Sequence, residues 1–433
     1  MKPYPKYHVS TVPWLNKLPE HWQQRRLKFA ARINPSLSRF PDYSSEVTFL
    51  PMEVVSTTGA IDCSRKRKVS EVQNGFTCFQ RNDVIVAKIT PCFENGKGAC
   101  LGELDTDCAF GSTEFIVLRA GKAIRPAFLY YLTCANQFRQ LGTQSMTGSA
   151  GQQRVGLDFV ANLPCPLPPT AEQDAIVAFL ATKEADMQKF IAGNRRRMEL
   201  LKEQKTALIQ RAVTRGLDLN VRLKPSRIPW LGDIPEHWQE KAAKFFFREI
   251  DERSKTGNEE LLSVSHITGV TPRREKDITM FMAESYEGFK TCRVGDLVIN
   301  IMWAWMGALG VSRHTGIVSS AYGVYRLKDA TTFVPDYLDH LLRTKPYAAE
   351  YHCRSTGIRS SRLRMYTDAF FRVPVLRPPI EEQREIVDFI GSESAQIGKA
   401  LAAAEREIEL MEEYRTALIA AAVTGKIDVS TAA

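Results

Sequence analysis

The sequence predicts a mixed α+β fold of two globular regions and two long helices, generated by a tandem repeat. Three observations carry this. The 433-residue chain is written twice, each copy about 210 residues long. Each copy has a middle in which short β-rich runs alternate with helical spacing. Each copy then ends in a proline-free stretch with a heptad seam.

The repeat is read directly. Residues 13–23, PWLNKLPEHWQ, return as 229–239, PWLGDIPEHWQ, identical at 8 of 11 positions. Residues 168–180, PPTAEQDAIVAFL, return as 378–390, PPIEEQREIVDFI, identical at 7 of 13. Residues 206–219, TALIQRAVTRGLDL, return as 416–429, TALIAAAVTGKIDV, identical at 8 of 14. Gly75-Phe76 followed by Asp83 returns as Gly288-Phe289 followed by Asp296. A unit this long is domain-sized rather than a solenoid repeat. The matched segments lie at the ends of each copy and the middles diverge, so the ends do one job twice and the middles do related but different jobs.

In the middles, Val84–Val86 and Phe115–Leu118 read as strands, with partners at Leu297–Ile301 and Gly323–Arg326. Residues 126–140 and 335–351 carry helical spacing. Pro168-Pro169 and Pro378-Pro379 end the preceding element and pre-set a helix start. The first helix carries the seam Met187, Ile191, Asn194, Met198, Leu201, Lys205, Leu208, Ala212. The second carries Ile397, Leu401, Ala404, Ile408, Met411, Arg415, Leu418, Ala422. Residues 181–218 hold nine Lys/Arg against five Asp/Glu, and 391–428 hold four against seven. Opposite charge on matched seams favours pairing the helices with each other. The expected boundaries are 1–168 for the first globular region and 169–216 for the first helix. A linker follows at 217–235, then the second region at 236–378, its helix at 379–426 and a tail at 427–433.

Lys plus Arg number 58 and Asp plus Glu 49, a net charge of +9 that suits a polyanion partner without proving one. Nine irregularly spaced cysteines, with no C-x-x-C pair, argue against a disulfide framework or a structural zinc site and for a cytoplasmic setting. No apolar leader is visible near the N-terminus. The 16 uncharged residues 297–312 are too few to span a bilayer, so no membrane partner is expected.

Catalytic motifs are missing. There is no G-x-x-x-x-G-K-[ST] loop and no D/N-P-P-Y/F stretch. Asp83–Lys88 lacks the acidic residue that a metal-dependent nuclease needs two places before its lysine. His21 and His237 recur in the PEHW motif with no carboxylate at ligand spacing, so they read as structural. The middles offer polar, basic and aromatic loops instead. Lys88, Thr90, Asn95 and Lys97 follow a strand in copy one, and Asn300, Trp303 and Trp305 hold the matching place in copy two. Gln152, Gln153 and Arg154 follow one Thr-Gly pair; Arg359, Arg362 and Arg364 follow the other. Singly these are surface residues, and the two tryptophans suit a core. Their matched placement makes Lys88, Thr90, Asn95, Lys97, Gln152, Arg154, Asn300, Trp303, Arg359, Arg362 and Arg364 candidates for DNA contact, because such side chains match base edges and phosphates.

The ends of the repeat, W-L-x-x-[IL]-P-E-H-W, P-P-x-x-E-Q-x-x-I-V-x-F and the long helix ending T-A-L-I, closely resemble the DNA specificity subunit of type I restriction-modification enzymes. The resemblance covers essentially the whole chain, twice. It implies that each middle is a target recognition domain and that the two helices form an antiparallel coiled coil between them. It also implies a non-catalytic, cytoplasmic subunit that binds double-stranded DNA and carries two methyltransferase subunits and restriction translocase-nuclease subunits. S-adenosylmethionine, ATP and Mg would belong to those partners. Arg195-Arg196-Arg197 departs from the internal symmetry, since Glu-Arg-Glu stands at 405–407. Two other readings are a stand-alone duplicated DNA-binding regulator and a coiled-coil scaffold with protein-binding heads.

Overall fold

The computed structural model describes residues 2–12, 14–37, 41–149, 151–226, 228, 230–275, 285–358 and 362–429. Pro13, Pro229 and Arg359 lie outside the described residues. The chain forms two compact units, Met1–Arg195 with Glu405–Ala433, and Arg196–Ala404.

The first unit is built on an antiparallel four-stranded sheet in the order Ala31–Ile33, Phe115–Ala120, Val84–Ala87, Gly98–Cys100. Its central strands are apolar over Val84–Ala87 and 115–118 because both faces are covered there. Val84, Val86, Ile116 and Leu118 enter one core, while Ile85, Ala87, Phe115 and Val117 enter another. The second unit repeats this sheet with Phe247–Glu249, Gly323–Leu327, Leu297–Ile299 and Leu309–Val311. The recurring Asp closes both sheets. Asp83 is buried and takes a two-pronged bond from Arg119 at 2.8 and 2.9 Å. Asp296 takes the same bond from Arg326 at 2.7 and 2.8 Å.

Beyond this sheet, Glu46–Leu50 of the first unit pairs in parallel with Cys108–Gly111 inside a second four-stranded sheet. In the second unit the corresponding region is two antiparallel pairs, Leu262–Ser265 with Gly269–Pro272 and Lys290–Cys292 with Gly316–Val318, joined by a parallel bridge between Leu261 and Ile317. The strand order is kept, and the middles diverge in the extent of pairing and in side chains.

Each stretch of helical spacing in the middles forms two helices. Pro126–Cys134 is followed by Asn136–Gln144, and Pro335–Leu342 by Lys345–Arg354. Ala135 and Thr344 take extended backbone between them. The break lets the second helix turn onto a loop: Phe138 meets Phe93 and Phe159 at ring distances of 5.7 and 6.0 Å. Tertiary packing overrides a helical pattern that runs straight on in sequence.

The long helices begin one residue after each Pro-Pro pair, at Thr170–Arg215 and Ile380–Val423. In the first unit the start of one packs along the end of the other, with Ile176, Leu180 and Met187 in one core with Leu418, Ile419 and Ala422. Glu184 accepts a bond from Arg415 there at 2.7 Å. In the second unit, Leu208 and Ala212 share a core with Ile386 and Ile390. The helices run antiparallel. Seam residues Met187, Ile191, Asn194, Ile397 and Leu418 are buried, and Met198, Leu201, Leu208, Leu401, Ile408 and Met411 are half-buried.

The three repeated end motifs meet in space within each unit. Trp22 of the first PEHW donates its indole N–H to Glu172 at 3.0 Å, and His21 lies 2.8 Å from the same carboxylate. Trp238 and His237 do the same to Glu382. The histidines thus do have a carboxylate, supplied from 151 and 145 residues away. The neighbouring Gln173 accepts from Arg125 N at 2.7 Å and donates to Ala123 and Pro168 carbonyls. Gln383 repeats this with Val334, Thr332 and Pro378.

The helix ends close the same junction. Gly216 and Gly425, at φ 75 and 71, stop the two helices in the left-handed conformation that favours glycine. A Cβ on Gly425 would lie 2.5 Å from Pro19 Cδ. Gly425→Ala is expected to cost more than Gly75→Ala, whose Cβ meets nothing within 4 Å at φ 87. The conformational cost alone, about 1–2 kcal/mol, applies to both. Equal losses on urea unfolding would show that the Pro19 contact is immaterial.

Candidate nucleic-acid interface

In each unit two loops far apart in sequence are joined by backbone bonds. In the first, the loop leaving Val84–Ala87 meets the loop around 147–155. Val155 N donates to Lys88 O at 2.9 Å, Thr90 N to Gln153 O at 2.9 Å, and Gln153 N to Thr90 Oγ1 at 3.1 Å. Thr147 and Arg154 exchange backbone bonds at 3.1 and 2.9 Å, closing the second loop. Lys88, Thr90, Gln152 and Arg154 are thereby brought together. Asn95 is exposed elsewhere on the first loop. Lys97 is committed differently, because its ammonium donates to Met52 O at 3.0 Å.

Arg154 is held by Glu114, with Nη2 and Nε at 2.9 and 3.0 Å. That bond keeps the Glu114 carboxyl below the ordinary carboxylate range, despite partial burial that pushes the other way. It also raises the Arg154 guanidinium. The pair fixes the direction in which the guanidinium fork faces.

The second unit repeats the junction with different side chains. Met365 N donates to Ile301 O at 3.0 Å, the counterpart of Val155 and Lys88. Thr356 and Arg364 exchange bonds at 3.0 and 2.9 Å, the counterpart of Thr147 and Arg154. Arg362 and Arg364 are exposed, with no ion-pair partner among the described residues. Arg359 falls outside the described residues.

Two expectations need correction. Asn300 is buried, not a surface group. Its side chain accepts from Met302 N at 3.3 Å and donates to the Tyr322 hydroxyl at 3.2 Å, so it shapes the loop. Trp303 is not core: it is 50% exposed and stacks on Trp305 with centroids 6.0 Å apart. A polar residue one step past a buried strand and an aromatic one in a turn look alike in sequence whichever side of the loop they face.

The sequence reading missed several groups. Glu114 and Tyr322 leave no local signal, since each acts through a residue brought to it by folding. The cations of 65–68 were legible as a basic run. They fall on and beside the exposed strand Lys66–Lys68. Arg65 pairs with Glu53 at 2.7 Å, and Arg67 lies over the Phe49 ring at 4.4 Å. Among the described residues no group of three or more His, Cys, Asp or Glu could hold a metal ion. No described helix is long and apolar enough to cross a membrane.

Each unit thus combines a four-stranded sheet, two polar loops joined by backbone bonds and a pair of antiparallel helix segments. Residues 56–192 match the family described as the type I restriction modification DNA specificity domain. Among similar proteins, the type I restriction enzyme EcoAI specificity subunit of Escherichia coli is 37% identical over 41% of this chain and 30% of its own. The EcoEI specificity subunit of the same organism is 38% identical over 37% of this chain and 27% of its own. The match thus spans less than a third of either relative. A solved chain from work on complex assembly and conformational transition of the type I R-M system shares the fold. Its TM-score is 0.68 at 20% identity, over 95% of this chain and 99% of that one. The HsdS subunit from Thermoanaerobacter tengcongensis gives 0.56 at 21% identity, over 95% and 98%. Residues 56–192 of the chain are thus similar to the type I restriction-modification DNA specificity domain, and the whole chain shares the fold of the solved chains.

Proposed function

We propose that the chain is the sequence-specific DNA-binding subunit of a type I restriction-modification complex. It reads a bipartite target, one half-site per unit, and scaffolds methyltransferase and restriction subunits in the cytoplasm without doing chemistry itself. The observation that carries the reading is the loop junction built twice. Lys88 and Thr90 are bonded to Val155 and Gln153, which flank Arg154, and in the second unit Ile301 of the loop that carries Trp303 is bonded to Met365, next to Arg364. Duplicated loops on duplicated sheets, with different side chains, suit two half-sites of different sequence. Partner binding is supported by apolar side chains left open on the long helices. Phe190, Leu410 and Tyr414 of the first unit are 41, 47 and 48% exposed.

The isolated chain is expected neither to methylate nor to cleave DNA. With methyltransferase subunits and S-adenosylmethionine, methylated adenines should map to one split sequence with a non-specific spacer. A continuous target, or methyl transfer by the chain alone, contradicts the reading.

Replacing Arg362 and Arg364 with alanine is expected to weaken binding to the second half-site. If both face phosphates, the slope of log affinity against log salt falls by about 1 for each, and sequence preference is kept. A base-reading arginine instead relaxes one position at a cost of about 1–3 kcal/mol. Unchanged affinity, slope and preference would remove this hairpin from the interface.

A further inference from the structure

The loop over residues 300–308 holds one indole in solvent by a rigid local frame. Trp303 N donates to Asn300 O at 3.0 Å, Met306 N to Trp303 O at 3.0 Å, and Ala308 N to Trp303 O at 3.2 Å. Asn300 N returns to Ala308 O at 3.0 Å. Gly307, at φ 83, turns the chain back. Trp305 braces the exposed ring from behind: its own N–H donates to Met302 O at 3.1 Å, and its edge meets His352 at 6.0 Å. The fold therefore gains little from Trp303, yet fixes where it stands.

Its surroundings specify what it suits. The loop is bonded through Ile301 and Met365 to the hairpin that carries Arg362 and Arg364, two exposed cations without ion-pair partners among the described residues. A ring on a loop bonded to such a cationic hairpin is placed toward phosphates and base edges if that hairpin binds DNA. The most prominent apolar group on those edges is the 5-methyl of thymine in the major groove. We propose that Trp303 makes an apolar contact with a thymine methyl in the half-site bound by the second unit. This rests on the DNA-reading function proposed above. The first unit has no counterpart. The aromatic residue of its matching loop, Phe93, is buried, and the exposed side chains there are Pro91, Glu94 and Asn95. Thymine-methyl dependence of this origin belongs to one half-site only.

The test uses the full chain loaded with methyltransferase subunits, and duplexes bearing its selected target. Each thymine of the second half-site is replaced in turn by uracil, which removes only the methyl. Binding is expected to weaken roughly fourfold at one position, the worth of one buried methyl. The same uracil should have no effect on Trp303→Ala and a reduced effect on Trp303→Phe. Because half of the ring is exposed, Trp303→Phe should melt close to the unaltered chain, and binding by Trp303→Ala is compared below its own melting temperature. Several outcomes overturn the contact: a second half-site without an A·T pair, indifference to uracil at every position, or an equal uracil effect in Trp303→Ala. Weaker binding by Trp303→Ala without any uracil effect makes the ring a wedge between base steps instead. Impaired subunit assembly with normal DNA binding makes it a protein contact. Failure of the unaltered complex to select a sequence at all overturns the DNA-reading function itself, a result distinct from the others.

Discussion

Replacing Asp83 with alanine is expected to destabilise the first unit by about 3–5 kcal/mol, the usual cost of removing one partner from a buried ion pair. Asp83 is 1% exposed and holds Arg119 in a two-pronged bond. It also accepts Gln80 N at 2.8 Å, which pins the turn into its strand. Without it, Arg119 keeps one described partner, the Ser36 carbonyl at 3.0 Å. The matching Asp296→Ala change should cost less. Arg326 there retains Glu252 at 3.3 Å, so its charge is not orphaned. Hydrogen exchange of the strands Val84–Ala87 and Phe115–Ala120, compared with Leu297–Ile299 and Gly323–Leu327, reads the two effects separately. Equal losses would mean that Glu252 does not substitute. Strand protection unchanged in Asp83→Ala would mean that the pair adds nothing beyond packing.

Exchanging residues 30–160 for the same region of a relative is expected to change one half of the recognised sequence and leave the other intact. Specific binding typically exceeds non-specific by 10³ or more, so the original half-site should lose on the order of that factor to the new one. Both zipped loops of the first unit fall inside the exchanged segment, as does Glu114, which aims Arg154. A few bonds cross its edges and set the terms of a working graft. The backbone N–H at 125 must still meet Gln173, and the hydroxyl at 131 must still reach Glu184, now 2.7 and 2.7 Å away. Methylation mapping of the hybrid reads the result. Alteration of both halves would sink the model of two independent readers.

The long helices were legible in the sequence, because a Pro-Pro stop, a heptad seam and a recurring T-A-L-I ending are local signals. The central strands were legible too, as apolar runs. The helix breaks at Ala135 and Thr344 were not, because they exist to pack Phe138 and its counterpart helix onto loops that sequence cannot place. The recurrence of PEHW and PPxxEQ was plain in the sequence, but that the two motifs bind each other was not. Glu172 and Trp22 are 150 positions apart, and only the closed unit makes them neighbours. The loop candidates show the same division. Matching the two copies located both junctions, yet it could not tell that Asn300 faces inward and Trp303 outward.

Neither compact unit is made from one copy of the repeat. The first takes 405–433 from the second copy, and the second takes 196–215 from the first. A duplicated gene whose products have exchanged helix halves in this way has the construction of a swapped homodimer fused into one polypeptide. Stopping translation after Gly216 would leave the first head without the strip that covers Met187 and Leu180. Only a second copy of the shortened chain could restore that strip, by lending its own 196–215. In a single chain that pairing does not depend on concentration. The two units can also carry separate sequences, since a change in one need not be made in the other.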